Sequence, residues 1–160
     1  MKLGSTLILR AATLFAGAIV LAFCVVCIWL AATDRDPNSI YAPLYYILIF
    51  GTFASAIPFF IALYQALKLL GYIDANCAFS IMAVNSLQII MRCAITIFVI
   101  CTVGGLPFFY CVAQLEDAPG LMLIGFVISG STFIIAVFSS ILKRLLQDAI
   151  NIKADNDMII

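Results

Sequence analysis

Few side chains in this sequence have the types and spacing that catalysis or metal binding requires. The 160 residues include no histidine, which removes the most common general base and metal ligand. Cys24 and Cys27 form a C-x-x-C pair, but both lie in a long apolar stretch, where cysteine usually behaves as a small hydrophobic residue. No charged residue lies deep in any long apolar stretch, so neither an acid–base pair nor an ion-coupling site is indicated. We therefore predict no catalytic residue, cofactor or metal site, and expect the protein not to be an enzyme.

The polar side chains concentrate around one connecting segment and the C-terminal tail. The segment GYIDANCAFS, residues 71–80, contains Asp74, the only charged residue between Lys68 and Arg92. Asp74 is expected either to form an ion pair with Lys68 or Arg92 or to accept hydrogen bonds from backbone N–H groups of the loop. A candidate polar cluster, which either stabilises the structure or contacts a partner, consists of Gln65, Lys68, Asp74, Asn76, Asn85, Gln88, Arg92, Gln147 and Asp148.

Helix ends are indicated on both sides of this segment. Gly71 is typical of the residue that ends a helix in a left-handed conformation, and Ser80 is a favourable N-cap for the next helix. Asn85, Gln88 and Arg92 follow at a spacing that places them on one face of that helix. The polar cluster is therefore expected at the junction of two helices rather than in a bare turn.

The composition indicates that these helices lie in a lipid bilayer. The chain is 66% hydrophobic and 10% charged, and its mean hydropathy is +1.22, whereas soluble domains carry about 25% charged residues. Four stretches without a charged residue are 11–33, 37–67, 93–115 and 118–142. About 20 apolar residues suffice for a helix to cross the hydrocarbon core. We predict an all-α integral membrane protein that forms one membrane domain, with transmembrane helices at about 11–33, 44–70, 88–113 and 120–142.

The distribution of lysine and arginine predicts how the chain is threaded. If the N-terminus is inside, the inner side holds seven basic residues: Lys2, Arg10, Lys68, Arg92, Lys143, Arg144 and Lys153. Arg35 alone is then outside. By the positive-inside rule, both termini, the 71–80 loop and a helical tail at 143–157 are cytoplasmic, in a multi-pass protein of the cell membrane. The net charge of zero and the lack of a long basic run disfavour direct nucleic acid binding.

Amphipathic patterns predict that helices 2, 3 and 4 extend into the cytoplasm. The extensions either pack together as a small cytoplasmic unit or lie in the headgroup region of the bilayer. Pro58 is expected to kink the second span, and Gly104 and Gly105, which precede Pro107, are expected to bend the third near its outer end. Whether these bends are hinges or ordinary features of membrane helices stays open.

Small residues recur at roughly helical spacing along spans one, two and four. Small side chains allow membrane helices to approach each other closely. The pattern suits a compact four-helix bundle within one chain, and it suits a homo-oligomer equally well. Gln65, near the inner end of the second span, is expected to make an interhelical hydrogen bond.

Two segments are similar to a known family. AIPFFIALYQALKLLGYIDANCAFS, residues 56–80, and LLQDAINIKADND, residues 145–157, resemble the bacterial four-span membrane family called domain of unknown function 2975, the YoaS-like proteins. The resemblance covers nearly the whole chain and implies no catalytic residue, because the family has no established activity. It does imply a partner, since genes of this kind often neighbour a gene for a small helix-turn-helix regulator.

Two functions of different kinds follow as hypotheses. One is a membrane-embedded regulatory or adaptor protein whose cytoplasmic face contacts a soluble partner. The other is a small transporter, pore or transporter subunit for an apolar or cationic compound, which the aromatic content and the Pro and Gly bends permit. A structural membrane protein without a ligand is a third alternative.

Overall fold

The computed structural model describes residues 3–33, 42–75, 77 and 79–159, which are helical almost throughout. The elements are α1 (Leu3–Thr33), α2 (Ala42–Asp74), α3 (Ile81–Ile100), a π-helical turn (Cys101–Gly105), α4 (Leu106–Leu115) and α5 (Gly120–Met158). The predicted all-α fold is therefore confirmed. Asn76 of the polar cluster lies outside the described residues.

Within the described residues, four helical stretches are long and apolar enough to cross a bilayer: Thr6–Trp29, Tyr46–Asp74, Ile81–Leu115 and Gly120–Met158. Their number agrees with the four predicted spans. Large apolar side chains such as Phe15 and Phe50 are mostly exposed, whereas the buried positions hold small residues such as Cys24, Ala83 and Ser129. This distribution is typical of helices in lipid, which pack through small residues because lipid tails solvate the large ones.

The third span is interrupted where the sequence predicts a bend. The N–H of Leu106 donates to the carbonyl of Cys101, five residues earlier, so the chain forms one wide turn between α3 and α4. Pro107 follows directly, and a proline ring clashes with the carbonyl four residues before it in a regular α-helix. A π-helical turn is one way for a helix to absorb such a disturbance. Pro58, in contrast, lies inside α2 without ending it.

Helices that are neighbours in the chain pack in antiparallel pairs. Along α1 and α2, Arg10 pairs with Asp74, and a Cβ added to Gly17 would lie 2.8 Å from Leu63 Cδ2. Farther along, the thiol of Cys27 interacts with Thr52. Residue numbers thus rise on one helix as they fall on the other.

The second antiparallel pairing joins the third span to α5. The rings of Phe98 and Phe133 lie 5.3 Å apart, and the hydroxyls of Thr102 and Ser129 are 2.9 Å apart. These pairings place the start of α3 beside the C-terminal part of α5. The beginning of α1, the end of α2, the start of α3 and the end of α5 therefore share one side of the molecule, which we call the Asp74 end.

The helices follow one another in space in chain order. Within the described part of the chain, the backbone of α1 closely approaches α2 and no other helix, while α3 contacts both α2 and α5. A cavity of about 180 Å³ is lined mainly by residues of α2, the π-helical turn and α4, and its lining also includes Phe23 of α1 and Ile128 of α5. Within the described residues, the four candidate spans thus form an open arrangement in which α1 occupies an edge and does not closely approach α5.

Candidate functional site

An ion pair joins α1 to α2 at the Asp74 end. Nη2 of Arg10 donates to Oδ2 of Asp74 across 2.8 Å, and the side chains are 47% and 29% exposed. A Cβ added to Gly71 would lie 4.0 Å from the same nitrogen of Arg10, so the guanidinium lies over the last turn of α2. The expectation that Asp74 pairs with Lys68 or Arg92 is therefore wrong. Arg10 was missed because its closeness depends on how α1 packs, which local sequence does not reveal.

The connection between α2 and α3 is shorter than predicted. Gly71 does not end α2, which continues to Asp74, and no glycine among the described residues has a positive φ. The carbonyl of Gly71 still accepts from the N–H of Ala75, four residues later, at 3.1 Å, as in a regular α-helix. The carbonyl of Tyr72 accepts from the N–H of Cys77, five residues later, at 2.9 Å. These contacts satisfy carbonyls that would otherwise be left free at the end of the helix.

Ser80 caps α3 as predicted. Its backbone is extended, with φ −127° and ψ 153°, and its Oγ accepts from the N–H of Ala83 at 3.3 Å. Ala83, Val84, Ser86 and Leu87 are buried one turn later. The cap therefore fixes the start of a helix whose first turns are anchored in the protein interior.

Most members of the polar cluster face outward and do not contact each other. Lys68, Asn85, Arg92, Gln147 and Asp148 are exposed, while Gln65 and Gln88 are half-buried. Among the described residues, no hydrogen bond or ion pair joins these seven side chains to one another, and none is seen for the amide of Gln65. The structure therefore brings Asp74 into a specific contact and leaves the others as a dispersed polar surface.

The C-terminal tail is part of α5, which runs unbroken from Gly120 to Met158. This helix has 39 residues, which corresponds to about 58 Å at 1.5 Å per residue, roughly twice the hydrocarbon thickness. Its first charged residue is Lys143, so the last 16 residues, 143–158, extend about 24 Å beyond the apolar part. Lys143, Leu146, Ala149 and Ile150 are half-buried, and every residue from Asn151 to Ile159 is exposed.

A second feature is an apolar cleft at the π-helical turn. It has a volume of about 510 Å³ and is lined by Tyr46, Ile47, Phe50, Gly51, Ala54, Val99, Ile100, Val103 and Gly104. A Cβ added to Gly51 or Gly104 would meet no atom within 4 Å, so these glycines leave space on its two sides. A cleft with such an apolar lining can hold an alkyl chain or another apolar group, but it has few groups that could orient a polar one.

A hydroxyl pair between the π-helical turn and α5 was also missed by sequence reasoning. The hydroxyl of Thr102, in the π-helical turn, donates to the carbonyl of Phe98 and therefore accepts from the hydroxyl of Ser129 of α5, 2.9 Å away. In the sequence, Ser129 is one of the small residues that recur along the fourth span. Hydroxyls in membrane helices often bond their own backbone, so sequence spacing alone gave no signal for this contact between helices.

No cluster suited to metal binding is found in the described part of the chain. No three histidine, cysteine, aspartate or glutamate side chains come together there in a group that could hold a metal ion. Cys24, Cys27 and Cys93 are buried, whereas Cys77 is exposed, as expected for the loop.

These features define an all-α membrane protein with four candidate spans and an exposed C-terminal helix. The chain belongs to the family described as "Protein of unknown function (DUF2975)", whose family model matches residues 29–160. It is 41% identical over 157 residues to the uncharacterized membrane protein YoaS of Bacillus subtilis (strain 168), with 96% of each chain covered. No solved structure matches it. The family resemblance noted in residues 56–80 and 145–157 is therefore confirmed.

Proposed function

We propose that this protein is a regulatory or adaptor protein of the cell membrane that binds a soluble protein at its Asp74 end. The observation that carries the proposal is the length of α5, which runs unbroken to Met158. A helix that continues about 24 Å past its last apolar turn and exposes all of its final residues presents a large surface to a partner. The proposed orientation has both termini in the cytoplasm, on the basis of the seven-to-one distribution of basic residues.

The chemistry of this surface suits a polar protein partner. Arg144, Gln147 and Asn151 are exposed and follow one another at helical spacing on α5, and Asn85 is exposed on the adjoining α3. Amide and guanidinium groups form oriented hydrogen bonds at protein interfaces, and arginine is enriched there. A small helix-turn-helix regulator is the partner we propose, because the family resemblance implies one. DNA contact would then belong to that partner rather than to this chain.

Crosslinking in intact membranes tests this proposal. Full-length protein is crosslinked, gently solubilised and purified, and the captured proteins are identified, for the unaltered chain and for a variant with Asn85→Ala, Gln147→Ala and Asn151→Ala. We expect the unaltered chain to capture a soluble protein and the variant to lose it at equal expression. Gln114→Ala, an exposed amide at the opposite end, is the matched control and should retain capture. Equal capture by all three proteins would contradict the proposed surface.

The alternative is transport of an apolar compound, and the 510 Å³ cleft at the π-helical turn is the observation that favours it. A route past Gly51 and Gly104 would be blocked by larger side chains, since both glycines border open space. Uptake by proteoliposomes tests it. Flux that Gly51→Leu or Gly104→Leu abolishes would support transport, and flux equal to that of protein-free liposomes would count against it.

A further inference from the structure

One side of the α5 tail carries apolar residues at a spacing of three and four. Leu142, Leu145 and Ile152 are 42%, 60% and 64% exposed, Ala149 lies between them, and the exposed Asn156 follows. In a seven-residue repeat labelled a to g, Leu142, Ala149 and Asn156 occupy position a, and Leu145 and Ile152 occupy position d. This is the pattern of a helix that pairs with another helix in a coiled coil.

A different side of α5 makes the contacts within the chain. Ala136 and Ser139 are buried, and Lys143, Leu146 and Ile150 are half-buried along the same line. This line also repeats every three or four residues, so it forms a separate stripe. The tail therefore packs on the rest of its own chain through one face. On the other face four of the five a and d positions are exposed, and the fifth, Ala149, is half-buried.

We propose that the uncovered face binds the same face of a second copy, so that two α5 tails form a parallel two-stranded coiled coil. The parallel direction follows from the membrane. Each copy carries the same unequal distribution of basic residues, so all copies insert in the same orientation. Two tails that leave the bilayer side by side must then run in the same direction.

The charged residues beside the stripe would lie opposite residues of the other sign when two tails run in parallel. Asp148 occupies position g and Lys153 occupies position e of the next repeat. In a parallel pair, a g residue faces the e residue five positions later on the other helix, and 148 and 153 differ by five. The two-fold axis produces the contact twice. Within one helix, residues five apart do not face each other, so neither charge is satisfied by the other in a single chain.

Asn156 also favours a coiled coil of two helices that are aligned in register. It occupies an a position, where an asparagine faces its counterpart across the axis of a parallel dimer. A buried asparagine at this position weakens association but selects the two-stranded state and the aligned register. The apolar residues Leu142, Leu145 and Ile152 would supply the affinity, and Asn156 the specificity.

The paired segment is short, and the membrane compensates for its length. Leu142 to Met158 spans about 26 Å, which alone gives weak association in solution. Confinement of both chains to one bilayer raises their effective concentration, because the tails start at the same depth and in the same orientation. The dimer does not depend on the proposed adaptor function, since Arg144, Gln147 and Asn151 lie on the outer face of the tail.

Charge exchange in the full-length protein tests the pairing. Dimerisation is measured in lipid vesicles by energy transfer between donor- and acceptor-labelled copies as protein density varies. Asp148→Lys and, separately, Lys153→Asp should each weaken dimerisation by about tenfold, because both symmetric contacts become repulsive. The doubly exchanged variant D148K/K153D should restore it. Restoration also shows that the single variants had not merely misfolded.

Disulfide formation in membranes tests the geometry. Ile152→Cys should form a disulfide between copies under mild oxidation, because equivalent d positions face each other within the reach of a disulfide. Asn151→Cys is the matched control, since it is adjacent, exposed and directed away from the stripe, and the native cysteines are the same in both proteins. The bond is located by mass spectrometry of the crosslinked peptide.

The pairing is overturned if the protein remains monomeric at all densities tested, or if Asn151→Cys crosslinks as well as Ile152→Cys. It is also overturned if D148K/K153D stays as weak as the single variants. If the a and d residues become buried only when a different protein binds, that protein is the true occupant of the stripe. This result would also reject the dimer.

Discussion

The guanidinium of Arg10 and the carboxylate of Asp74 are 2.8 Å apart, although 64 residues separate them in the chain. The pair joins the start of α1 to the end of α2 at the same side of the molecule as the C-terminal tail. Because α1 closely approaches only α2 within the described residues, this contact helps to fix the position of an edge helix.

Loss of this ion pair should have a small but measurable effect. Asp74→Asn is expected to lower the free energy of unfolding by about 0.5 kcal/mol, because both side chains are partly exposed and solvent screens the charges. The exchanged variant R10D/D74R should recover most of that loss. Denaturant titration in detergent micelles, followed by circular dichroism, provides the measurement. Lys68→Gln is the control, since Lys68 is exposed and unpaired among the described residues, and a loss equal to that of Asp74→Asn would contradict the assignment.

The N-cap of α3 should contribute more than the ion pair. Ser80→Ala removes the acceptor for the N–H of Ala83 and is expected to lower the free energy of unfolding by about 1 kcal/mol. Ser80→Asp keeps a cap acceptor and should stay close to the unaltered protein. The same titration measures both variants, and an equal loss in both would show that packing of Ser80, rather than capping, is responsible.

The contact of α4 with α5 should be sensitive to a single added methyl group. A Cβ at position 125 would lie 2.8 Å from Cδ2 and 3.2 Å from Cβ of Phe109, and Cβ cannot move away by rotating a side chain. Gly125→Ala is therefore expected to destabilise the protein by about 1–3 kcal/mol. Gly130→Ala in the same helix meets no atom within 4 Å and should be neutral or stabilising. Thermal denaturation in the same detergent compares the two, and equal melting temperatures would disprove the close approach.

The hydroxyl pair between Thr102 and Ser129 should show energetic coupling. In a double-mutant cycle with Thr102→Val and Ser129→Ala, we expect a coupling of about 0.6 kcal/mol, which is typical of hydrogen bonds between membrane helices. Ser131→Ala replaces Ser129→Ala in the control cycle, because the hydroxyl of Ser131 donates only to the carbonyl of Val127 in its own helix. Coupling of the same size in the control cycle would mean that the measured energy does not come from the hydroxyl contact.

The orientation proposed from the basic residues can be checked with a native cysteine. Cys77 is exposed in the connection between α2 and α3 and should react with a membrane-impermeant maleimide only after cells are permeabilised, because the Asp74 end is proposed to face the cytoplasm. Cys77→Ser, which should abolish that signal, identifies the reacting residue. Labelling of Cys77 in intact cells would show that the Asp74 end faces outward, which is opposite to the proposed orientation.

The number of spans and the cap at Ser80 were accessible from sequence because both depend on local properties. A charged side chain is costly in hydrocarbon, so the positions of Lys68, Glu116 and Lys143 limit where apolar helices begin and end. Ser80 bonds an N–H three residues away, within one turn. The end of α2 was predicted less well, because Gly71 favours a helix end without requiring one.

What the sequence by itself determined was an all-helical membrane protein with four spans, a capped third helix and a family membership carried by residues 56–80 and 145–157. Only the tertiary structure decided that Arg10, and not Lys68 or Arg92, reaches Asp74, that Thr102 reaches Ser129, and which side of α5 stays uncovered. Contacts between distant residues depend on how far each helix is shifted and rotated against its neighbour. That shift is set by the sum of many small packing contacts, such as those at Gly17 and Gly125, and no short stretch of sequence contains it.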